Sequence, residues 1–172
     1  MNVAIIGAGL IGSKRAAALD KTDKLIIVCD KNLIRAKDLA SIYSSKYTDS
    51  FQDVIDQKVD ISIISVINKY AADIACKLLS SGNHILCEKP LGINIHESKK
   101  LLSIAKKNNQ KIKTGFNHRF HPAMIKAKEI ISNKLIGKII NIRARYGHGG
   151  RNGMEKEWRC SKSLSGGGEL ID

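Results

Sequence analysis

Four groups of residues are equipped to do chemistry: Gly7-Ala8-Gly9-Leu10-Ile11-Gly12, Asp30 with Lys31 and Arg35, Glu88-Lys89-Pro90, and the glycine-rich end from Gly166 to Asp172. An apolar run, Val3 to Ile6, leads straight into the first group, and a helical pattern follows it. In that context the first glycine permits a tight turn, the second lets the backbone approach a pyrophosphate, and the third lets the helix pack closely. The helix N-terminus then faces the phosphates. A glycine triplet alone is weak evidence. Asp30, however, stands eighteen residues beyond Gly12, at the end of the second strand pattern, where a carboxylate can accept both hydroxyls of a ribose. The combination predicts a site for NAD(H) or NADP(H).

Asp30 would repel a 2′-phosphate, which favours NAD. Lys31 and Arg35 follow it closely, and either cation can pair with a phosphate, so NADP stays open. Asp30 also fits the N-cap of the helix that begins near Asn32, and the two roles are compatible.

Glu88-Lys89-Pro90 follows the strand His84 to Cys87, at the carboxyl edge of a sheet, where open α/β folds bind ligands. Taken alone, such a Glu-Lys pair is more often an exposed ion pair than a catalytic one. His118 and His121 have a short spacing, but no matching Cys or carboxylate group accompanies them, which argues against a metal.

The elements that must position these groups are legible in the alternation of patterns. Asn2 to Ile6, Lys24 to Cys29, Ile61 to Val66, His84 to Cys87 and Lys111 to Phe116 read as strands. Helical patterns lie near Ser13 to Leu19, Leu33 to Ser41, Tyr70 to Ser80 and Ile95 to Lys107. Nearly continuous apolar strands alternating with helices predict an α/β Rossmann fold, a doubly wound parallel sheet covered on both faces. After about Asn117 the pattern changes: Ala123 to Ser132 is helical, and Lys138 to Tyr146 is strand-like. We therefore expect a dinucleotide-binding domain over 1–118 and, over 119–172, the start of a truncated α+β domain for substrate binding and oligomerisation. An unpaired strand edge at Lys138 to Tyr146 predicts self-association.

Composition narrows the class. With 172 residues, 43% of them hydrophobic and 26% charged, the chain has enough apolar material for one packed domain. A net charge of +13 suggests an anionic partner, yet the lysines are scattered along helical patterns and aromatics are only 5% of residues. Nucleic acid and membrane are accordingly not expected as partners. Cys29, Cys76, Cys87 and Cys160 show no metal-ligand spacing and read as reduced core thiols. No apolar run approaches a membrane span and no signal segment opens the chain, so a cytoplasmic protein is expected.

The chain resembles the first half of a member of the glucose-fructose oxidoreductase and inositol dehydrogenase family (Gfo/Idh/MocA). The resemblance rests on Gly7 to Gly12, Asn68, Glu88-Lys89-Pro90, Asn117-His118-Arg119-Phe120 with Pro122, and Gly166-Gly167-Gly168-Glu169-Leu170-Ile171-Asp172, in that order and spacing. It implies a dehydrogenase or reductase that moves a hydride between a nicotinamide cofactor and a sugar, cyclitol or nucleotide sugar, and a homo-oligomer at full length. It implies Lys89 and Asp172 near the reacting hydroxyl, and Asn68, Glu88 and Lys89 along the cofactor. Such chemistry needs a group that trades a proton near neutral pH, and partial burial beside a positive charge is how a lysine becomes one. The histidine that follows the terminal Asp in the family is absent here, so poor activity is expected of this chain.

Other residues carry two readings each. Arg119 fits a contact to cofactor or substrate, and equally a structural arginine. Trp158 with Arg159 fits a substrate wall or an ordinary core aromatic, and Gly166 to Gly168 fit a flexible loop. The segment Tyr146 to Arg151 with Glu157-Trp158-Arg159 resembles members from nucleotide-sugar pathways, and Arg143, Arg145, Arg151 and Arg159 would suit a diphosphate. The competing function is a dinucleotide-binding module without turnover, which has no need of Glu-Lys-Pro at the sheet edge.

Overall fold

A computed structural model of the chain describes residues 1–145, 147 and 152–167. Its elements are β1 (Asn2–Ile6), α1 (Leu10–Ala17), β2 (Lys24–Cys29), α2 (Leu33–Ile42), β3 (Lys46–Thr48), α3 (Phe51–Asp56), β4 (Ile61–Ile64), α4 (Asn68–Ser80), β5 (His84–Cys87), α5 (Ile95–Lys107), β6 (Ile112–Thr114), α6 (Pro122–Ser132) and α7 (Lys162–Ser165). Single 3-10 turns occupy Asn117–Phe120, Met154–Lys156 and Trp158–Cys160.

All pairings in the sheet are parallel, in the order β3-β2-β1-β4-β5-β6. The chain leaves β1 in one direction to β2 and β3, then returns to β4 and proceeds the other way. Strand order therefore reverses between β1 and β4, the place at which open α/β sheets form their ligand crevice, outside the carboxyl ends of the strands. This is the doubly wound α/β fold expected from the alternating pattern. Side chains alternate across the sheet as the strand period requires. Val3 and Ile5 pack with Ala16, Ala36, Leu39 and Ala40 from α1 and α2 on one face. Ala4, Ile6, Ile64 and Ile85 pack with Ala75, Leu78 and Leu79 of α4 and Leu101 of α5 on the other.

Local chemistry sets the helix starts. Asn32 Oδ1 accepts from the N–H groups of Ile34 and Arg35 and caps α2. Asn94 Oδ1 accepts from Glu97 N at 2.9 Å, while Glu97 Oε2 reaches back to Ile93 N at 2.9 Å, a reciprocal arrangement that fixes the start of α5. His121 Nδ1 accepts from Ala123 N at the start of α6, with Pro122 in the first helical position.

The chain divides into two compact units, one formed by Met1–Gly115 with the segment from Trp158 onward, the other by Phe116–Glu157. The tail that the expected division placed after residue 118 thus groups with the dinucleotide-type unit. In the second unit α6 buries none of its residues, and Met124, Ile125 and Ile131 are exposed.

Several expectations are corrected. Residues 138–145 form no strand, so the exposed edge expected there does not exist; an isolated strand-like run needs a partner ladder to hold it. β3 carries no apolar run in the sequence, because Lys46–Thr48 is short and only Thr48 is buried, and α3 is a helix of only 6 residues. The cap of α2 is Asn32 and not Asp30. Among the cysteines, none of which is in a disulfide, Cys29 and Cys87 lie in the core, Cys76 is half-buried and Cys160 is exposed. Among the described residues no helix is long and apolar enough to cross a membrane, and no group of three His, Cys, Asp or Glu could hold a metal ion.

Two outcomes follow from this packing. Leu78 is fully buried, so Leu78→Ala should lower the unfolding free energy by about 2–5 kcal/mol in urea titrations. Ile140→Ala, at a position 96% exposed, should change it by less than about 0.5 kcal/mol. Burial also pushes the Cys29 and Cys87 thiols up to about 12 from 9.0. A thiol reagent should therefore modify Cys160 in the native protein and reach Cys29 and Cys87 only on unfolding. In the unfolded chain these two thiols lose their protons first. Both cysteines should then reduce stability progressively as pH rises from 9 toward 12, and Cys87→Ala should flatten that decline.

Candidate dinucleotide site

The turn between β1 and α1 sits in the crevice, and three kinds of contact shape it. Gly7 N donates to Cys29 O at 2.8 Å, tying the turn to β2. On the other side Ser65, the residue after β4, donates its backbone N–H to Ile6 O at 2.8 Å and its hydroxyl to Gly7 O at 2.7 Å. Gly7 has φ +97°, and a Cβ there would lie 2.5 Å from Ser65 O. A Cβ on Gly12 would lie 1.9 Å from Gly7 O. Neither position admits a side chain. Gly9 differs: a Cβ there meets nothing within 4 Å, and as the N-cap of α1 it supplies no side-chain acceptor to the first helical N–H groups. Two glycines of the loop are thus required by packing, and the third faces open space.

Asp30 closes the loop from the end of β2. Its Oδ2 accepts from Ala8 N at 2.7 Å and its Oδ1 from Asn32 N at 2.8 Å. Each carboxylate oxygen keeps a second lone pair, so these bonds leave acceptor capacity for a further donor. Lys31 and Arg35 are exposed beside it, and Leu10 and Ile11 open the first turn of α1.

At the end of β5, Glu88 is joined to α1. Arg15 Nε donates to Glu88 Oε1 at 2.6 Å, and Arg15 Nη2 pairs with the same oxygen. The two side chains are 21% and 16% exposed, which places the pair in a partly dry environment where it is stronger than a surface ion pair. Gly115, just past β6, makes room for it: a Cβ there would lie 2.9 Å from both carboxylate oxygens and from Arg15 Nη2. Lys89 follows directly, half-buried, and its peptide bond to Pro90 is cis.

The remaining expected residues divide. Asn68 opens α4, is buried, and donates its side-chain amide to the Ser165 carbonyl at 3.0 Å. Gly166, part of the segment that carries the family resemblance and for which a flexible loop is the alternative reading, has φ +91° and packs on Ile93, whose Cβ would be 2.7 Å from an added Cβ. Arg119 belongs to the second unit, where its guanidinium lies 5.3 Å over the Phe116 ring. Arg159 lies 4.7 Å over the Trp158 ring. Asp172 with Gly168 to Ile171, and Tyr146 with His148 to Arg151, lie outside the described residues.

Three residues of this edge had no sequence signal: Ser65, Arg15 and Gly115. Ser65 ends an apolar run and looks like any strand terminus. Arg15 and Glu88 are 73 positions apart, beyond the reach of any periodicity.

Comparisons with known proteins agree with this geometry. The family profile described as an oxidoreductase family with an NAD-binding Rossmann fold, GFO_IDH_MocA, matches residues 1–116. A D-glucoside 3-dehydrogenase of Escherichia coli is 30% identical over 179 residues, which cover 100% of this chain and 50% of that protein. An inositol 2-dehydrogenase of Salmonella paratyphi B is 28% identical over 153 residues, 85% of this chain and 46% of that protein. The crystal structure of GenD2 from gentamicin A biosynthesis, in complex with NAD, superposes with a TM-score of 0.87 at 22% identity, covering 100% of this chain and 50% of that one, and so shares its fold. The chain spans about half the length of the curated relatives it matches. With the glycine loop, the switch-point crevice and this match over 1–116 in agreement, the chain belongs to the Gfo/Idh/MocA oxidoreductase family with its NAD-binding Rossmann fold.

Proposed function

We propose that this protein is an NAD(P)-dependent oxidoreductase that interconverts a secondary hydroxyl and a carbonyl on a sugar, a cyclitol or a nucleotide sugar, with NAD as the preferred cofactor. The observation that carries the reading is the contrast within the glycine loop. Gly7 and Gly12 leave no room for a Cβ, whereas Gly9 opens on empty space at the uncapped N-terminus of α1. That combination fits a pyrophosphate: a helix N-terminus with no side-chain cap, a favourable helix dipole and no side chain in the way.

The bound dinucleotide supplies the hydride acceptor or donor. The chain supplies the rest. The loop from Gly7 to Gly12 holds the phosphates, with the N–H groups of Gly7 and Ala8 committed to Cys29 O and Asp30 Oδ2 and those of Gly9, Leu10 and Ile11 at the start of α1. Asp30 keeps the turn closed through Ala8 N and retains lone pairs for ribose hydroxyls, while its charge discriminates against a 2′-phosphate. Lys31 and Arg35, both exposed, are the cations available to a 2′-phosphate should NADP bind. Arg15 neutralises Glu88 and pins the end of β5, directly before Lys89, to α1. Lys89 trades the hydroxyl proton during hydride transfer, and Asp172 assists on the substrate side. The curated relatives that act on inositol and on a D-glucoside support a polyol-type substrate.

Titration with NADH and NADPH, followed by nicotinamide fluorescence, tests the cofactor reading. Gly9→Val should remain folded, since nothing lies within 4 Å of its Cβ, and should weaken NADH binding at least about a hundredfold, because an added side chain occupies the phosphate approach. Equal affinity in the variant would remove the site from this loop. Asp30→Ala should narrow the NADH-over-NADPH preference. In turnover of a cyclitol or glycoside, Lys89→Met should lower kcat by about 10²–10⁴ with NADH affinity within about twofold. A variant with unchanged kcat would show that another group handles the proton.

A further inference from the structure

We propose that Asn68 is a positioning residue, which clips the Trp158–Gly167 tail to the carboxyl edge of the sheet beside the Glu88-Lys89-Pro90 loop. The inference rests on the dinucleotide reading of that edge and adds to it a role for Asn68 distinct from cofactor contact. Its basis is a convergence of three observations within one compact unit.

First, the Asn68 side chain is directed at the tail. Asn68 is the first residue of α4, only 5% exposed, and its Nδ2 donates to the Ser165 carbonyl at 3.0 Å, across 97 positions of sequence. A buried amide–carbonyl bond is worth more to the folded state than an exposed one, because breaking it strands two polar groups away from water. Second, the tail is shaped to accept it. Ser165 is fully buried, and its hydroxyl donates to Gly167 O at 2.6 Å, folding the chain tightly around the carbonyl that Asn68 holds. Third, the next residue is locked as well. Gly166 adopts φ +91° against the backbone of Ile93, three residues past Pro90, with no room for a Cβ. The tail is thereby held at two points, one on the start of α4 and one on the loop that leaves Lys89-Pro90.

The consequence is directional. The chain departs from this unit at Gly115, forms the Phe116–Glu157 unit, and returns at Trp158. Because Asn68 and Ile93 both belong to the dinucleotide-type unit, that unit itself sets where the returning segment meets the site. Gly167 becomes the fixed point from which the chain continues toward Asp172.

The experiment compares the full chain with Asn68→Asp and Gly166→Ala. Asp is nearly isosteric with Asn, but its carboxylate cannot donate to the Ser165 carbonyl. At the first position of a helix an acidic side chain is favoured by the dipole, so α4 should persist in this variant. Gly166→Ala disturbs the second anchor without touching Asn68. Both variants should speed amide exchange of residues 164–167 about tenfold, with the amides of β1 and β4 unchanged, and Gly166→Ala should keep NADH affinity within about twofold. The single tryptophan of the chain, Trp158, begins the clipped segment, so energy transfer from Trp158 to bound NADH should fall in both variants at equal occupancy.

Unchanged tail exchange in Asn68→Asp would overturn the proposal, as would a freed tail whose Trp158 transfer stays at the wild-type level. A loss of NADH affinity above about tenfold with the tail still protected would return Asn68 to direct cofactor contact and also overturn it. If the wild-type chain binds no NADH, the dinucleotide reading fails, while the exchange comparison still decides whether Asn68 clips the tail.

Discussion

The constraint on which the rest of this structure depends is the close approach of the β1–α1 turn to the end of β4. At Gly12 the helix passes so near the Gly7 carbonyl that a Cβ would be 1.9 Å away, and at Gly7 the Ser65 carbonyl is equally intolerant. Two glycines and one serine hydroxyl therefore hold the crevice at the point where strand order reverses. With no room for a side chain at Gly7 or Gly12, the open position of the turn is Gly9. A loop with slack could not present helix N–H groups at a defined distance from a ligand.

From this turn the organisation spreads along the carboxyl edge by polar links between elements distant in sequence. Asp30 joins the end of β2 to the glycine loop, Arg15 joins α1 to the end of β5, and Asn68 joins α4 to the tail. Each link is only partly exposed or buried, where a hydrogen bond is less exposed to competition from water. The apolar core beneath is generic in composition, built of Ile, Val, Leu and Ala on both faces. It supplies stability, while the edge links supply geometry, and the two tasks fall to different residues.

The balance of charge fits the same division. A net +13 spread over helix faces contributes little to any one site, and the ion pair with the most consequence, Arg15 with Glu88, sits inside the edge and not on the outer surface. The pair lies directly before Lys89 in the chain.

By itself the sequence determined whatever depends on short-range stereochemistry. The glycine loop, the apolar strands and the helical pattern of α5 were legible because turn geometry, two-residue alternation and helical periodicity all operate within a few residues. The family resemblance at Glu88-Lys89-Pro90 was legible for the same reason, since it is a contiguous motif. Only the tertiary structure decided the rest. β3 exists because the β2 edge accepts a three-residue ladder that has no apolar run of its own. The strand-like pattern at 138–145 stays irregular, showing that a pattern permits a strand but a neighbour creates one. Arg15 meeting Glu88, Gly115 yielding space to both, and Asn68 reaching Ser165 depend on where the fold places residues far apart in sequence. Hydrogen bonds and close packing act over ångströms of space, and spacing along the chain carries no record of them.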